Sequence, residues 1–479
     1  MINPDNLTLS EMAGLIRRGI LTSEKLVRHY LKRISERNPK INALVQFGAE
    51  EIVLKQAKHA DDLASKGQFL GPLHGIPLTI KDVCHVEGFR MSRGLSELQG
   101  EPSQHDATVV SRLRMAGAIV LGISNVPELC MAFETENLLY GRTVNPYDAT
   151  RSAGGSSGGE AASIAAGCSP AGLASDACGS VRIPAHFNGI SGLKLTQGRV
   201  PLTGQFPNER SGLFHLTSSY SVMGRYVDDI ALLGKLISGS DGQDPDTVDV
   251  PFTASEPLSE LRVALSWDHS HSLVSPAVSN VLLRIAACLG DVVLDITDNS
   301  PPLLNEASAV LWRVFITGGD GGRSWKNMFT AMNKQSCTRA THQLMQMSDS
   351  VDLNVDEMKR DWIMIDTFRF QLAKFFNQYD LFICPVFPDV AFAHGQSLAD
   401  IDQYGFVFPF SLSGSPAVVI RGGYDPETGL PVGIQIVGPH WKEERILAVA
   451  KFLERAVDRW QPVYPASGTG QMSISVESL

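Results

Sequence analysis

The sequence predicts an α/β fold: a mixed, mostly parallel central β-sheet sandwiched between α-helices. Three observations carry this. From about Pro77 onward, short β-branched runs alternate with stretches of helical spacing. The runs are apolar nearly throughout, the pattern of strands buried on both faces. A chain of 479 residues with 43% hydrophobic and 19% charged residues also has the composition of a protein that builds a substantial core. Helices layered on a sheet satisfy all three.

The chain opens in helix. Thr8 with Glu11 three residues later makes a capping box for a first short helix. Residues 22–36 then repeat Leu26, Tyr30 and Ile34 at helical spacing, with Pro39 as the expected stop. Strand candidates follow in order: "IPLTI", "AIVLGIS", "LRVALSW", "DVVLDI", "DLFICPVF", "PAVVIRG" and "VGIQIVG". Residues 301–361 differ, because helical spacing is broken by "TGGDGGRSW" and Trp312, Trp325 and, just beyond, Trp362 are concentrated there. An aromatic-rich insertion over about 300–362 reads as a pocket wall, although tryptophan at helical spacing more often fills a core. The ending from Pro465, "PASGTGQMSISVESL", is small and polar and reads as a frayed tail over 466–479. Residues 1–465 are therefore expected to form a single domain, without a repeat of fixed period.

Charge and cysteine usage exclude several function classes. A formal net charge of −10 opposes a phosphate backbone, and no Lys/Arg run supplies a local basic stripe, so nucleic acid is not an expected partner. No stretch of eighteen apolar residues and no basic leader with an apolar core is found, so neither membrane insertion nor secretion is expected. Seven scattered cysteines without a Cys-x-x-Cys pair suit reduced thiols in a cytoplasm. No zinc spacing appears. In "DGQDPD", Pro245 and Phe252 occupy positions where a calcium loop needs a ligand, which leaves a plain turn. No metal or cofactor is expected.

The stretch "RSAGGSSGGEAA" holds two serines between glycine pairs and runs straight into helix-forming residues, which argues against a linker. A phosphate loop of Walker type would need Gly-Lys-Ser/Thr where this loop has Gly-Gly-Glu. Two hydrolase readings remain. Gly154, Ser156 and Gly158 fit the short Gly-x-Ser-x-Gly nucleophile elbow of an α/β-hydrolase esterase, with His394 or His440 as a downstream base, though neither histidine has a recognisable setting. Alternatively, a second glycine-serine turn in "LASDACGSVRIPAHFNG" places Ser180 24 residues after Ser156, and upstream "GPLHGIPLTIKD" ends an apolar run on Lys81.

On these last motifs the sequence closely resembles the amidase signature family. The resemblance covers residues 71–82, "NLLYGRTVNPYDATRSAGGSSGGEAA" through "GLKLTQGRV", then "SVMGRYVDDIALL", "YDLFICPVFP" and "LPVGIQIVGPHWKEERIL", with a signature core over about 65–235. It implies a Ser-Ser-Lys triad in which Ser180 is the nucleophile, Ser156 the bridging serine and Lys81 the base. The peptide bond before Ser156 would be cis, with Gly155 easing it, and Ser157 would assist by hydrogen bonding. Backbone N–H groups of Ala177, Cys178, Gly179 and Ser180 would form the oxyanion hole. Cys178 departs from the family's usual glycine; a positive φ there would strain it, and otherwise it narrows the site. Asp176 and Arg182 flank the turn and are expected to pair and brace it.

The chemistry is sound on its own terms. An amide carbonyl is a poor electrophile, so attack needs a deprotonated hydroxyl and donors aimed at the developing oxyanion. Lysine serves as base only when burial lowers its pKa, and Ile76, Leu78 and Ile80 make Lys81 a desolvated candidate. The expected function is amide hydrolysis of aryl or aliphatic amides, with esters or carbamates also open, by a chain that a homodimer would suit. Trp312, Phe315, Trp325, Phe406, Phe408 and Phe410 are expected to line the pocket. The rival within the family is the glutamine-hydrolysing component of a tRNA-dependent amidotransferase, which holds the glutamine amino group with an acid; here Tyr404 stands near that place, with Asp402 close by. A catalytically dead binding protein is disfavoured by the presence of all three triad residues.

Overall fold

The computed structural model describes residues 3–205, 215–268, 272–457, 460–463 and 476–478. Its centre is an eleven-stranded sheet. In chain order the strands are β1 (Leu44–Phe47), β2 (Ile76–Lys81), β3 (Ala118–Ser124), β4 (Ala171–Asp176), β5 (Ser191–Lys194), β6 (Ser219–Gly224), β7 (Arg262–Leu265), β8 (Asp295–Asp298), β9 (Leu381–Pro385), β10 (Ala417–Tyr424) and β11 (Pro431–Val437). Their spatial order is β1-β3-β2-β4-β6-β5-β10-β11-β9-β7-β8.

The mixed sheet between helices agrees with expectation, but parallel pairing is the minority. Only four of the ten neighbouring pairs are parallel: β3 with β2, β2 with β4, β9 with β7 and β7 with β8. The central strands run antiparallel: β6 pairs with both β4 and β5, β5 with β10, and β10 with β11 across the six-residue connection 425–430.

Alternate residues along a strand point to opposite faces. Along β9 and β10, Ile383, Val418 and Ile420 join one apolar cluster, while Phe382, Cys384, Ala417 and Val419 join another. The first cluster takes in the amino-terminal helices Leu9–Arg17 and Ser23–Ile41. The second takes in the helices of the inserted region, including Leu304–Val310, Arg323–Ala331 and Val355–Gln378.

Thr8 and Glu11 form the expected capping box. The second helix runs through Pro39 to Ile41 and ends at Asn42, whose φ of 49° is left-handed. Proline removes one N–H donor and crowds the carbonyl four residues back, and the helix ends two residues beyond it. Residues 291–294 of "DVVLDI" form the turn after a helix, and the strand begins at Asp295. The expected frayed tail falls partly outside the described residues, but Val476–Ser478 pairs antiparallel with Ser336–Thr338.

Candidate active site

Lys81 is the last residue of β2, and β4 runs parallel to it, with Thr79 beside Gly172 and Ile80 beside Leu173. The carboxyl ends of both strands therefore open on the same side, where α/β folds place their ligands. The Lys81 ammonium nitrogen, Nζ, donates to Ser156 Oγ at 2.7 Å and to Ser175 Oγ at 3.0 Å. The side chain is fully buried. Along β2 it shares a face with Thr79, not with Ile76, Leu78 and Ile80, so its desolvation comes from the helix Gly158–Ala165 packed on that face. Burial holds the ammonium below its ordinary value, with the Asp176 and Glu160 carboxyl groups pulling the other way.

The loop before that helix turns on a cis peptide between Gly155 and Ser156. Gly155 is required by close approach, since a Cβ there would lie 2.5 Å from the Ala132 carbonyl oxygen and 2.7 Å from Glu134 N. Ser157 ties the loop to the Ser180 turn: its N–H donates to Ser180 O at 3.1 Å and its hydroxyl to Ser175 O at 3.2 Å. On the same helix, the buried Glu160 accepts from Thr79 Oγ1. Burial raises its carboxyl to about 7, against hydrogen bonds from Thr79 and Ser124 and the charge of Lys81.

Asp176 ends β4 and organises the turn that follows. It accepts from the N–H groups of Gly179 (2.8 Å), Val181 (3.1 Å) and Arg182 (3.3 Å). Arg182 Nε and Nη2 grip both its oxygens, each at 3.0 Å. Burial alone would raise this carboxyl, but the Arg182 charge and hydrogen bonds, with Lys194 and the Gly179 N–H, hold it well below the usual carboxylate range. The brace is therefore an ion pair without solvent. One oxyanion candidate is affected: the Gly179 N–H is committed to Asp176, which leaves those of Ala177, Cys178 and Ser180. The left-handed residue of the turn is Gly179, at φ 103°, and Cys178 is not among the residues of positive φ. Cys178 accordingly only narrows the site. Burial and the neighbouring Asp176 push its thiol up, which disfavours the thiolate.

Ser156, Ser175, Ala177, Cys178 and Ser180 border one cavity of about 460 Å³. Its walls are Val83, Leu129, Met131, Phe133, Ile316, Trp325 and Met328, with Gln205, Ser218 and Ser324 among its few polar side chains. Among the described residues, no Asp, Glu, Lys, Arg or His lines it.

Of the six aromatic residues expected in the pocket, Trp325 alone lines this cavity. Trp312 and Phe315, on a π-helical stretch over Leu311–Ile316, pack into the second apolar cluster, and their neighbour Ile316 reaches the cavity. Phe406, Phe408 and Phe410 are buried. Phe408 stands one layer back, against Phe133 at 5.8 Å and Tyr404 at 5.5 Å between ring centroids. That segment serves the turn instead, since Val407 O and Ser411 Oγ accept from Arg182 at 2.9 and 2.6 Å. Sequence reasoning missed the wall from Leu129 to Phe133, an apolar run between two motifs without periodicity of its own. His394 and His440 bond to backbone carbonyls of Ala149 and Ser413, and neither lines the cavity, so the elbow reading has no base.

The model of the Amidase family matches residues 25–447. The chain belongs to the amidase signature family. An acylamidase of Rhodococcus erythropolis is 32% identical over 96% of this chain and 97% of its own length. The A subunit of the glutamyl-tRNA(Gln) amidotransferase of Chloroflexus aggregans is 33% identical over 94% of this chain and 96% of its own. A crystal structure of an amidase superimposes with a TM-score of 0.81 at 27% identity, covering 94% of this chain and all of that one. This amidase signature protein is thus an amide hydrolase of linear amides. Among its described residues, no helix is long and apolar enough to cross a membrane.

Proposed function

We propose that the protein hydrolyses neutral, apolar amides, aryl or medium-length acyl, through an acyl-enzyme on Ser180. The observation that carries this reading is the 2.7 Å contact of a buried lysine with Ser156 in a cavity that Ser180 also borders and that apolar side chains enclose. A neutral Lys81 draws the proton of Ser180 through Ser156 as the hydroxyl attacks the carbonyl carbon. The oxyanion then points at the N–H groups of Ala177, Cys178 and Ser180. The proton returns by the same path to the amine, which leaves, and water releases the acid by the same sequence.

Glutamine hydrolysis is the second reading, favoured by the identity to amidotransferase A subunits. The described lining opposes it, because among the described residues a substrate ammonium buried beside Leu129, Met131, Phe133 and Trp325 meets no counter-charge. Tyr404 is buried with its hydroxyl donating to Ser397 O, and Asp402 is exposed, so neither meets the cavity.

The test is a fluorophosphonate adduct located by mass spectrometry after digestion. The label is expected on the peptide containing Ser180 and absent from Ser180→Ala, whereas a stoichiometric adduct on Ser156 would overturn the assignment. A parallel panel of anilides, aliphatic amides, carbamates and glutamine decides the substrate class. Ammonia release from glutamine faster than any anilide is cleaved would favour the second reading.

A further inference from the structure

The two apolar walls of the cavity come from distant parts of the chain and meet at one buried ion pair. Glu128 immediately precedes the wall of Leu129, Cys130, Met131, Ala132 and Phe133. Lys334 and Thr338 follow the helix Arg323–Ala331, which supplies Ser324, Trp325 and Met328 to the other wall. Glu128 Oε2 accepts from Thr338 N–H at 2.9 Å and from its hydroxyl at 3.1 Å. Glu128 Oε1 faces the Lys334 ammonium at 3.5 Å, and Lys334 also reaches Glu97 at 3.5 Å. The Glu128 side chain is 0% exposed and that of Lys334 4%.

We propose that this bridge is a brace that fixes the separation of the two walls, making Glu128 and Lys334 positioning residues for acyl-group selectivity. The inference rests on the reading of the cavity as the acyl site. A buried ion pair gains little stability over an apolar contact of the same size, because desolvation offsets its attraction. What it adds is a fixed geometry. The near wall is already pinned: Leu129 and Cys130 are held at φ 55° and 61°, with the Leu129 N–H donating to Arg93 O and the Cys130 N–H to Pro127 O. The far wall is held at the start of its helix: the turn of Gly318, Gly319, Gly321 and Gly322, all of positive φ, is tied down by Gly321 N–H donating to Val351 O at 2.8 Å, Leu353 N–H to Gly319 O at 2.9 Å and the Arg323–Asp352 pair at 2.9 Å. Lys334 and Thr338 fasten the other end of that helix, so the brace determines where Trp325 and Met328 stand relative to Leu129 and Phe133.

The test compares wild type with Lys334→Met, Lys334→Arg and Glu128→Gln, the last retaining an acceptor for Thr338. The readouts are kcat and KM for acetyl and hexanoyl anilides, and amide hydrogen exchange over residues 323–331. Lys334→Met and Glu128→Gln are expected to raise KM for the hexanoyl anilide about tenfold, to leave kcat for the acetyl anilide within about twofold, and to speed exchange in 323–331. Lys334→Arg is expected to restore both. Equal losses on both substrates, or Met and Arg variants that behave alike, would overturn the brace. If wild type cleaves neither anilide, the proposed function fails while exchange still decides this point: unchanged exchange in both Lys334→Met and Glu128→Gln sinks it.

Discussion

Asp176 takes five hydrogen bonds from the turn it precedes, whereas Trp325, across the same cavity, is positioned by packing in an apolar cluster and by an edge contact with Phe329 at 5.8 Å between centroids. The first arrangement is directional and fixes the backbone of the turn that carries Ser180. The second is non-directional and tolerates exchange of one apolar side chain for another of similar volume. The contrast teaches where this protein can vary: the cavity wall in the inserted region tolerates exchange of apolar side chains, while the turn after Asp176 cannot be altered piecemeal.

Breaking the polar side gives the largest effects. Lys81→Ala is expected to lower amide turnover by about 100-fold to 10,000-fold, the usual weight of a general base, with an unchanged circular dichroism spectrum. In wild type, kcat/KM is expected to rise with pH through an apparent value below 10.5, because the neutral amine grows as pH passes upward through the lowered value of Lys81. A flat pH profile with Lys81→Ala retaining a tenth of the activity would remove lysine from the reaction. Next comes Asp176→Ala, which leaves Arg182 buried without its partner and is expected to cost about 3–5 kcal/mol, read as a fall in the denaturant midpoint. The sign with pH follows: the Asp176 carboxyl lies below its unfolded value, so its stabilisation is complete above about pH 4 and is lost only as acid passes the folded value.

Changes on the apolar side sharpen the contrast with smaller, selective effects. Trp325→Ala is expected to raise KM for aryl or hexanoyl amides about tenfold, equal to roughly 1.4 kcal/mol of lost contact, with acetyl substrates little affected. A parallel loss on both would place Trp325 in the scaffold. Smallest of all, Phe408→Leu is expected to cost about 1–2 kcal/mol in stability without altering selectivity, because that ring stands behind Phe133 and not in the cavity. A change in acyl preference in this variant would restore the aromatic segment to the pocket.

The readable parts of the sequence were those where one physical demand dominates. Strands rich in Val and Ile, such as β3 and β10, follow from burial on both faces. Lys81, Ser156 and Ser180 came from a resemblance in spaced motifs, and the structure brings Lys81 into contact with Ser156 and sets Ser180 in the same cavity. Of the strands that carry the site, β2 was legible as "IPLTI" and β4 was not. In β4, "AGLASD", a Cβ at Gly172 would lie 2.0 Å from Glu160 Oε1 and 2.5 Å from Thr79 O, so space between neighbours, not β propensity, chose the residue. The phenylalanines of "FVFPF" misled because aromatic content reports burial without saying against what. Cavity residues such as Met131 and Met328 carry no periodic or chemical mark, since shape is fixed by distant chain segments meeting.

The bonds of Arg182 bear on how the protein is made. Its guanidinium reaches Val407 O and Ser411 Oγ, and also Gln435 Oε1 at 2.9 Å, 253 residues further along the chain. Ser156 and Ser180 are synthesised before half the chain is made, yet one support of the Ser180 turn emerges only near the end. Strand β11, which carries Gln435, lies between β10 and β9, and a fragment ending before Gln435, however well it folds, would lack that clasp.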